Sequence, residues 1–183
     1  MLLTDSELTE YRRRGFIAKN CVFSERECES FREGAQRAEA QLLGRILEAA
    51  AEPAATEYRL DGNRFVDLDM VTVQFEHASV NERLRVVEPV NEVEPVFDRL
   101  LDDPRLCEPI RQILSCERLA LWTAKLNFKH PRVGSGFGWH QDAPYWIHDS
   151  DHVEKLLNVM VLFDDANADN GCFRVIDSSH RAG

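Results

Sequence analysis

The dipeptide Asp61-Gly62 is the feature that most restricts the fold of this chain. It lies inside EYRLDGNRFVDLDMVTVQFEH (residues 57–77), where apolar and polar residues alternate. An Asp-Gly pair between alternating segments is a strong signal for a two-residue hairpin, because the turn requires a positive φ at both central residues. The sequence therefore predicts a β-hairpin here, and a fold that contains an antiparallel sheet.

Two helices are predicted before the hairpin. Thr4 and Glu7 form a capping box for the first helix, and Gly15 marks its end. Ser24 opens the second helix with the same type of cap. Its apolar residues recur at helical spacing, namely Phe31, Ala35, Ala38, Leu42 and Ile46.

The rest of the chain combines two short helices with several segments that resemble strands. Residues 92–101 and 104–114 have helical spacing, and Pro104 occupies a first-turn position that tolerates proline. Strands are predicted for GFIAKN (15–20), RLALWTAKLNFKH (118–130), FGWHQD (137–142), LLNVMVLF (156–163) and CFRVI (172–176). A tight turn is expected at Asn170-Gly171.

These elements predict an α+β fold in a single domain of residues 1–183. Residues 1–116 supply a mainly helical layer with the hairpin, and residues 117–183 supply four strands. A closed double-sheet fold has about eight strands, so we expect the sheet to be incomplete. Because an open sheet edge attracts another strand, self-association through that edge is predicted.

The charge balance argues against some classes of partner. The 22 basic and 32 acidic side chains give a net charge of −10, which disfavours nucleic acid and anionic membranes. No apolar run approaches the roughly 20 residues of a membrane-spanning helix, and the N-terminus lacks the pattern of a signal peptide. The five cysteines include no CxxC pair and their number is odd, so we interpret them as reduced thiols. We therefore expect a cytoplasmic protein.

The segment GSGFGWHQDAPYW (134–146) contains the pattern His140-x-Asp142. On a strand, side chains two residues apart point to the same face, so an imidazole nitrogen and a carboxylate oxygen could bind one metal ion. A second histidine would complete the 2-His-1-carboxylate triad, which leaves positions open on Fe(II). The pair alone is a weak signal, because such pairs also arise by chance at the ends of surface strands.

The neighbouring residues favour a sheltered site over a surface strand end. Trp139 and Trp146 bracket the pair and could line an apolar pocket. The glycines of residues 134–138 allow the backbone to approach a ligand closely. Lys125 and Asn127 are predicted on one face of an upstream strand, where Asn127 is interpreted as facing a cavity.

Three segments resemble the phytanoyl-CoA dioxygenase family, including its ectoine-hydroxylase-like members. LTDSELTEYRRRGFIAKNCVFSEREC (3–28) is similar to the N-terminal helix-strand-helix of that family. WHQDAPYW (139–146) is similar to its metal motif. NVMVLFDDANADNGCFRVIDSSHRAG (158–183) is similar to a strand followed by an Asn-Gly turn and a PGSH-like end. The matches occur in the family's order and cover most of the chain.

The resemblance implies a double-stranded β-helix (jelly roll) that uses Fe(II), 2-oxoglutarate and O2 to hydroxylate a small organic substrate. It implies that His140 and Asp142 bind the metal. The presence of Asp142 argues against the halogenating members, which have a small residue there. The remaining implied contacts are to 2-oxoglutarate, from Asn127 and Phe137, and to the primary substrate, from Lys125 and Trp146.

Two features depart from the family pattern. The second metal histidine and the arginine that pairs with the far carboxylate of 2-oxoglutarate would follow residue 183, so we expect this chain to bind Fe(II) poorly. His180 corresponds instead to the histidine of the PGSH-like end, where Asp177 and Ser178 replace proline and glycine.

Two other hypotheses remain open. One is a non-catalytic β domain that binds a small acid or a partner chain. The other is a metal-binding module built on His140, Asp142, His148 and His152, although the last two are also typical of solvated loop histidines. The sequence does not identify the primary substrate.

Overall fold

The computed structural model describes residues 2–49, 56–77 and 83–182. The helices are α1 (Asp5–Arg14), α2 (Glu25–Ala49), α3 (Pro95–Leu101), α4 (Pro104–Leu114) and the single turn α5 (Ala143–Trp146). The strands are β1 (Thr56–Leu60), β2 (Asn63–Leu68), β3 (Val71–Phe75), β4 (Leu84–Glu88) and β5 (Leu126–Asn127). Short 3-10 turns lie at Val90–Glu92, Val153–Lys155 and Ser179–Arg181.

The chain divides into two compact units. Unit 1 contains Met1–Glu25, Leu101–Ala120 and His140–Gly183, and unit 2 contains Arg26–Leu100 and Leu121–Trp139. The combination of helices with an antiparallel sheet confirms the α+β prediction in its coarse form. None of the helices in the described part of the chain is long and apolar enough to cross a membrane.

Unit 2 contains a five-stranded sheet in the order β1-β2-β3-β4-β5, with every neighbouring pair antiparallel. The predicted hairpin is confirmed: Asp61 and Gly62 have φ of 50° and 80°, and they connect β1 to β2 with Leu60 opposite Asn63. Glycine tolerates the positive φ without strain, and aspartate adopts it more readily than most residues.

The core of the sheet is a row of side chains in register across four strands. Val66 pairs with Val73, Val73 with Val87, and Val87 with Leu126, and all four are buried. Burying a valine or leucine side chain contributes roughly 1.5–3 kcal/mol. The pairing of β5 with β4 therefore extends a continuous apolar layer.

Helix α2 approaches α3 closely within unit 2. A Cβ atom on Gly34 would lie 2.4 Å from Cγ1 of Val96, so the glycine permits this contact. Arg37 holds the buried Glu94 through two hydrogen bonds, Nε to Oε2 at 3.0 Å and Nη2 to Oε1 at 3.1 Å. This pairing lowers the pKa of Glu94. Phe31, Ala38 and Leu42 bury the apolar face of α2 as its spacing predicts.

In unit 1, helix α1 has both predicted caps. Thr4 and Glu7 form the capping box, and Gly15 ends the helix with φ of 86°. The 177–181 segment satisfies the carbonyl groups of the last turn of α1: Ser178 donates its backbone N–H to Arg14 O at 2.8 Å and its hydroxyl to Arg13 O at 3.0 Å. Helix α4 begins as predicted, with Pro104 following the N-cap residue Asp103.

Most of the strands predicted outside the hairpin are wrong. Residues 15–20, 137–142, 156–163 and 172–176 form no strand, and only Leu126–Asn127 of the 118–130 prediction is a strand. Conversely, β4 was not predicted. The turn at Asn170-Gly171 is present, and the N–H of Asn170 donates to Asn167 O at 3.3 Å.

The failed strand predictions have a common physical cause. A strand requires a partner for its backbone groups and a buried face for its apolar side chains. In residues 156–176 the apolar side chains of Val159, Met160, Leu162, Phe173 and Val175 are exposed, and no described strand pairs with the segment. The apolar runs at residues 156–163 and 172–176 therefore predicted strands in segments that lack both a pairing partner and a buried face.

Candidate functional site

His140 and Asp142 lie at the start of a short turn instead of on a strand. Asp142 is the residue before α5, with φ of −77° and ψ of −29°, which is a helical conformation. The two side chains nevertheless converge, with His140 Nε2 3.4 Å from Asp142 Oδ1. They are partly exposed, at 42% and 36% of their side-chain surface. The structure thus brings the predicted pair together through a turn, where the sequence suggested strand alternation.

Asn158 fixes the orientation of the Asp142 carboxylate. Its Nδ2 donates to Asp142 Oδ2 at 2.7 Å, which leaves Oδ1 directed toward His140. The ring of Tyr145 stands at 77° to that of His140, with centroids 6.1 Å apart, in an edge-to-face arrangement. Asn158 belongs to the predicted strand 156–163 and was not singled out from the sequence.

The donors of this pair suit one divalent metal ion. Metal–nitrogen and metal–oxygen bonds in proteins are about 2.1 Å long, so two donors 3.4 Å apart can occupy neighbouring positions on one ion. Imidazole and carboxylate are also the ligand types of non-haem Fe(II) sites. Among the described residues no group of three His, Cys, Asp or Glu side chains could hold a metal, so the pair offers two protein ligands.

The other histidines of this segment are not gathered around the pair. His148 and His152 are exposed, and His152 Nδ1 faces Glu154 Oε1 at 3.6 Å. His180 lies against α1, where its Nε2 contacts Arg12 O at 3.3 Å. The four-residue metal module is therefore not assembled in the described part of the chain. Trp146 closes α5 and is half-buried.

Lys125 and Asn127, predicted near ligands, flank the buried Leu126 at strand β5 of unit 2. Asn127 is exposed and lies opposite Val86. Lys125 Nζ is paired with Glu88 Oε2 at 3.2 Å, and Glu88 also accepts a hydrogen bond from the hydroxyl of Thr123 at 2.6 Å. The ammonium group of Lys125 therefore already has an anionic neighbour within the protein.

Phe137, also in unit 2, has two cations near its ring. The Arg85 Cζ atom lies 4.0 Å and the Lys129 Nζ atom 4.9 Å from the ring centroid. Both distances are within the range of cation–π attraction. Arg85 is buried on β4, and burial lowers the pKa of its guanidinium. Sequence reasoning missed Arg85; the signal that could have found it is a charged residue inside the apolar run LRVV.

The sequence profile of the phytanoyl-CoA dioxygenase (PhyH) family matches residues 11–183. An ectoine dioxygenase of Bordetella parapertussis is 27% identical over 180 residues, which is 98% of this chain and 50% of that protein. An ectoine dioxygenase of Sphingopyxis alaskensis is 32% identical over 136 residues, or 72% of this chain and 44% of that protein. L-proline trans-4-hydroxylase of Streptomyces griseoviridis is 29% identical over 101 residues, which is 55% of this chain and 37% of that protein.

The chain spans about half the length of the ectoine dioxygenase of Bordetella parapertussis that it matches. The matched profile nevertheless extends over nearly the whole chain, and it includes both His140 and Asp142. We conclude that this chain belongs to the phytanoyl-CoA dioxygenase family.

Proposed function

We propose that this chain forms part of an Fe(II)- and 2-oxoglutarate-dependent dioxygenase that hydroxylates a small organic substrate. The observation that carries the proposal is the convergence of His140 Nε2 and Asp142 Oδ1 within the span matched by the family profile. When bound, Fe(II) with 2-oxoglutarate would supply the oxidative chemistry with O2. The residues of this chain would bind the metal and co-substrate and hold their orientation.

His140 and Asp142 would hold the metal through the two atoms that already face each other. Coordination through Nε2 requires the imidazole to be neutral, with its proton on Nδ1. Asn158 would keep Asp142 Oδ1 directed toward the ion by binding the other carboxylate oxygen. Partners of this kind orient metal ligands and raise metal affinity.

Asn127 and Phe137 are the residues we assign to 2-oxoglutarate. Asn127 offers an exposed amide, which can donate to a carboxylate and accept from a hydroxyl. The exposed part of the Phe137 ring offers an apolar wall for the methylene groups of the co-substrate. Trp146 and Lys125 are assigned to the primary substrate, and the ammonium group of Lys125 would reach it from beside the Glu88 carboxylate.

We also propose that the family's jelly roll, with a cupin-like double sheet, is the fold to which this chain contributes. Support comes from the antiparallel pairing of β1 to β5 and from the match of the family profile to residues 11–183. The β1 edge of the sheet is exposed along its whole length, which supports self-association through that edge as a proposal. Sedimentation of the Arg59→Pro variant would test it, because residue 59 alternates with the residues that bond to β2 and its N–H faces the open edge. The variant should be monomeric where the parent associates.

The proposed metal site is tested by anaerobic titration of this chain with Fe(II) in the presence of 2-oxoglutarate. The chelate of a 2-oxo acid on Fe(II) has a visible charge-transfer absorption, which reports binding without turnover. We expect His140→Ala and Asp142→Ala to abolish this absorption at Fe(II) concentrations that saturate the parent chain. A primary substrate can then be sought with ectoine and L-proline, the compounds named by the relatives.

His148→Ala and His152→Ala are the matched controls for these variants. Both are exposed histidines of the same unit, so both should leave the absorption unchanged. Equal losses in all four variants would favour the metal-binding module over the dioxygenase. Because the described residues offer two protein ligands, we expect the absorption of the parent chain to develop only at high Fe(II) concentrations. A parent chain without any absorption at high concentrations of both Fe(II) and 2-oxoglutarate would contradict the proposed function.

The role of Asn158 gives a graded test of the same site. Asn158→Ala removes the hydrogen bond to Asp142 Oδ2 and should weaken Fe(II) binding about 10-fold to 100-fold, as is typical for residues that orient a metal ligand. Asn170→Ala is a suitable control, because Asn170 bonds to Asp165 and Asn167 in a turn. Equal Fe(II) affinity in both variants would exclude an orienting role for Asn158.

A further inference from the structure

We propose that Glu76 and Arg85, two buried charged residues of the sheet, are positioning residues that hold residues 135–137 and thereby fix the ring of Phe137 for contact with 2-oxoglutarate. The inference rests on the proposed function for the identity of the ligand. The contacts that carry it all lie within unit 2, between the sheet and the segment that leads into the metal motif.

Both charged side chains are fixed by the backbone of the sheet. Arg85 belongs to β4, and its carbonyl accepts the N–H of Phe128 at 2.9 Å. Glu76 directly follows β3, and its N–H donates to Arg83 O at 2.9 Å, which continues the pairing of β3 with β4. Each residue is only 4% exposed. The backbone at both charged residues is therefore held rigidly by the sheet.

The carboxylate of Glu76 holds Ser135. Its Oε2 accepts the backbone N–H of Ser135 at 3.0 Å and also the Ser135 hydroxyl. Hydrogen bonds to a charged acceptor are roughly twice as strong as those between neutral groups. Two such bonds from one residue fix both its backbone and its side chain.

The guanidinium of Arg85 holds the next two residues. Its Nη2 donates to Gly136 O at 2.8 Å, and its Cζ lies 4.0 Å from the centroid of the Phe137 ring. Its Nη1 lies 2.6 Å from His77 Nε2. Because a guanidinium has only donors, this nitrogen of His77 is the acceptor and its proton is on Nδ1.

The direction of these contacts distinguishes positioning from simple charge pairing. Glu76 and Arg85 are buried neighbours of opposite charge, yet no hydrogen bond or ion pair joins them in the described contacts. Glu76 Oε1 and Arg85 Nε have no hydrogen-bond partner. A pair that served only stability would bond internally, because buried charges are costly unless they are paired. Here the hydrogen bonds go to the consecutive loop residues Ser135 and Gly136 and to His77, and Arg85 also lies over the ring of Phe137.

Phe137 is the residue of this segment that would contact the ligand. One part of its ring contacts Arg85, while 45% of the residue remains exposed and available to a ligand. A flexible loop would place the ring in many orientations, and binding would then have to order it. Holding the ring in advance reduces that entropic cost, which is the general advantage of preorganised sites.

The inference is tested by removing each charge and measuring both loop order and co-substrate binding. Within residues 135–137, Glu76→Gln should increase amide hydrogen exchange at Ser135 by roughly tenfold, because the Ser135 N–H loses its charged acceptor. Arg85→Met should increase exchange less, because it releases the Gly136 carbonyl and the Phe137 ring. Both should also raise the apparent dissociation constant for 2-oxoglutarate several-fold in the Fe(II) titration, with Fe(II) affinity in the absence of 2-oxoglutarate unchanged. If these residues only stabilised the fold, their loss would not weaken 2-oxoglutarate binding while leaving Fe(II) binding unchanged.

Arg64→Met is the matched control. Like Arg85, Arg64 lies over a phenylalanine ring, 4.1 Å from the Phe75 centroid, but it pairs with a glutamate, Glu57, and no described contact joins it to residues 135–137. It should leave exchange at residues 135–137 unchanged. Because Arg85→Met could prevent folding, Ser135→Ala serves as the milder variant: it removes only the hydroxyl bond to Glu76 and should give a smaller change in the same direction.

The outcomes separate this inference from the proposed function. If exchange at residues 135–137 in Glu76→Gln and Ser135→Ala matches that in Arg64→Met, the positioning role is overturned, whatever the chain binds. If exchange rises while affinity for 2-oxoglutarate stays constant, the role toward the co-substrate is overturned. If the parent chain binds no 2-oxoglutarate, the proposed function fails and the role toward the co-substrate falls with it, while the exchange data still decide whether the two charges hold the loop.

Discussion

The two units of this chain are stabilised by different means. Nearly all buried apolar side chains lie in unit 2; in the described part of unit 1 only Leu3 and Cys107 are buried. Unit 1 relies instead on caps and polar contacts, such as the capping box of α1 and the hydrogen bonds from Ser178 to the end of that helix. Burial thus dominates in one unit, and directed polar interactions in the other.

This difference predicts how each unit responds to perturbation. The stabilisation from burial is non-directional and proportional to apolar area, so the loss of stability in unit 2 should increase with the size of the deleted side chain. Hydrogen bonds and helix caps depend on geometry and on charge, so the stability of unit 1 should be sensitive to changes in backbone conformation and in pH. The candidate metal ligands lie in the polar unit, and Phe137 lies in the apolar unit.

The largest effect should come from the core of the sheet. Phe75 is 1% exposed, whereas Phe173 of unit 1 is 61% exposed. We expect Phe75→Ala to lower the free energy of unfolding by about 3–5 kcal/mol, and Phe173→Ala to change it by less than about 0.5 kcal/mol. Urea unfolding at 25 °C measures both. Similar losses in the two variants would show that residue 173 is buried in solution and would remove the contrast between the units.

The parts of the fold that could be predicted from the sequence are those set by local geometry. Thr4, Gly15 and Asp61-Gly62 act on backbone groups within a few residues, so their helix ends and hairpin were correctly predicted. Strand pairing depends on distant residues. The apolar run of residues 156–163 does not indicate which segment would pair with it. Strand β4 was missed because LRVV is short and is interrupted by a charged residue, although it is buried on both faces.

The candidate site was predicted in part, for the same reason. His140 and Asp142 are close in sequence, so either a strand or a turn could bring them together, and the residues were right although the conformation was not. Asn158, Glu76 and Arg85 act on residues that lie 16, 59 and 51 positions away in the chain. Contacts across such separations leave no local pattern in the sequence.

A second, smaller effect should arise at the end of α1. Gly15 has φ of 86°, and a Cβ atom there would lie 2.2 Å from Nδ1 of His180. We expect Gly15→Ala to lower the free energy of unfolding by about 1–3 kcal/mol, because alanine is strained in the left-handed region and His180 must move. Thermal unfolding followed by circular dichroism is a suitable measurement.

Gly44→Ala provides the opposite case in α2, most of which lies in unit 2. Nothing lies within 4 Å of a Cβ atom at Gly44, and its φ is not in the left-handed region. Alanine should therefore stabilise the helix by about 0.5–1 kcal/mol. If both glycine variants destabilise the chain equally, conformational strain at Gly15 is not the cause.

The polar contact between Leu3 and α4 should give an effect of intermediate size. Gln112 accepts the N–H of Leu3 at 2.6 Å and donates to its carbonyl at 3.1 Å, and so behaves as a strand would toward that residue. Gln112→Leu should lower the free energy of unfolding by about 1–2 kcal/mol, because the N–H and the carbonyl of Leu3 lose their partners. Gln41→Leu, at an exposed position of α2, should cost less than about 0.5 kcal/mol; equal costs would place the loss in side-chain solvation and not in the contact with Leu3.

The smallest effect should be a dependence of stability on pH at the start of α1. The hydrogen bond from Lys19, followed by those from Thr4, lowers the pKa of Glu7 from 4.5 to about 2. A lowered pKa in the folded state means that the ionised carboxylate stabilises the fold above about pH 4.5, and that this stability is lost as the pH falls toward 2. Glu7→Gln keeps the capping-box acceptor but removes the charge, so the parent chain should have the higher urea midpoint at pH 6, with the difference vanishing near pH 2. Lys19→Met should abolish most of the pH dependence, because the hydrogen bond from Lys19 is the main cause of the lowered pKa of Glu7. If the urea midpoints of the parent chain and of Glu7→Gln differ by the same amount at pH 6 and near pH 2, the effect comes from packing. The charge of Glu7 would then not stabilise unit 1.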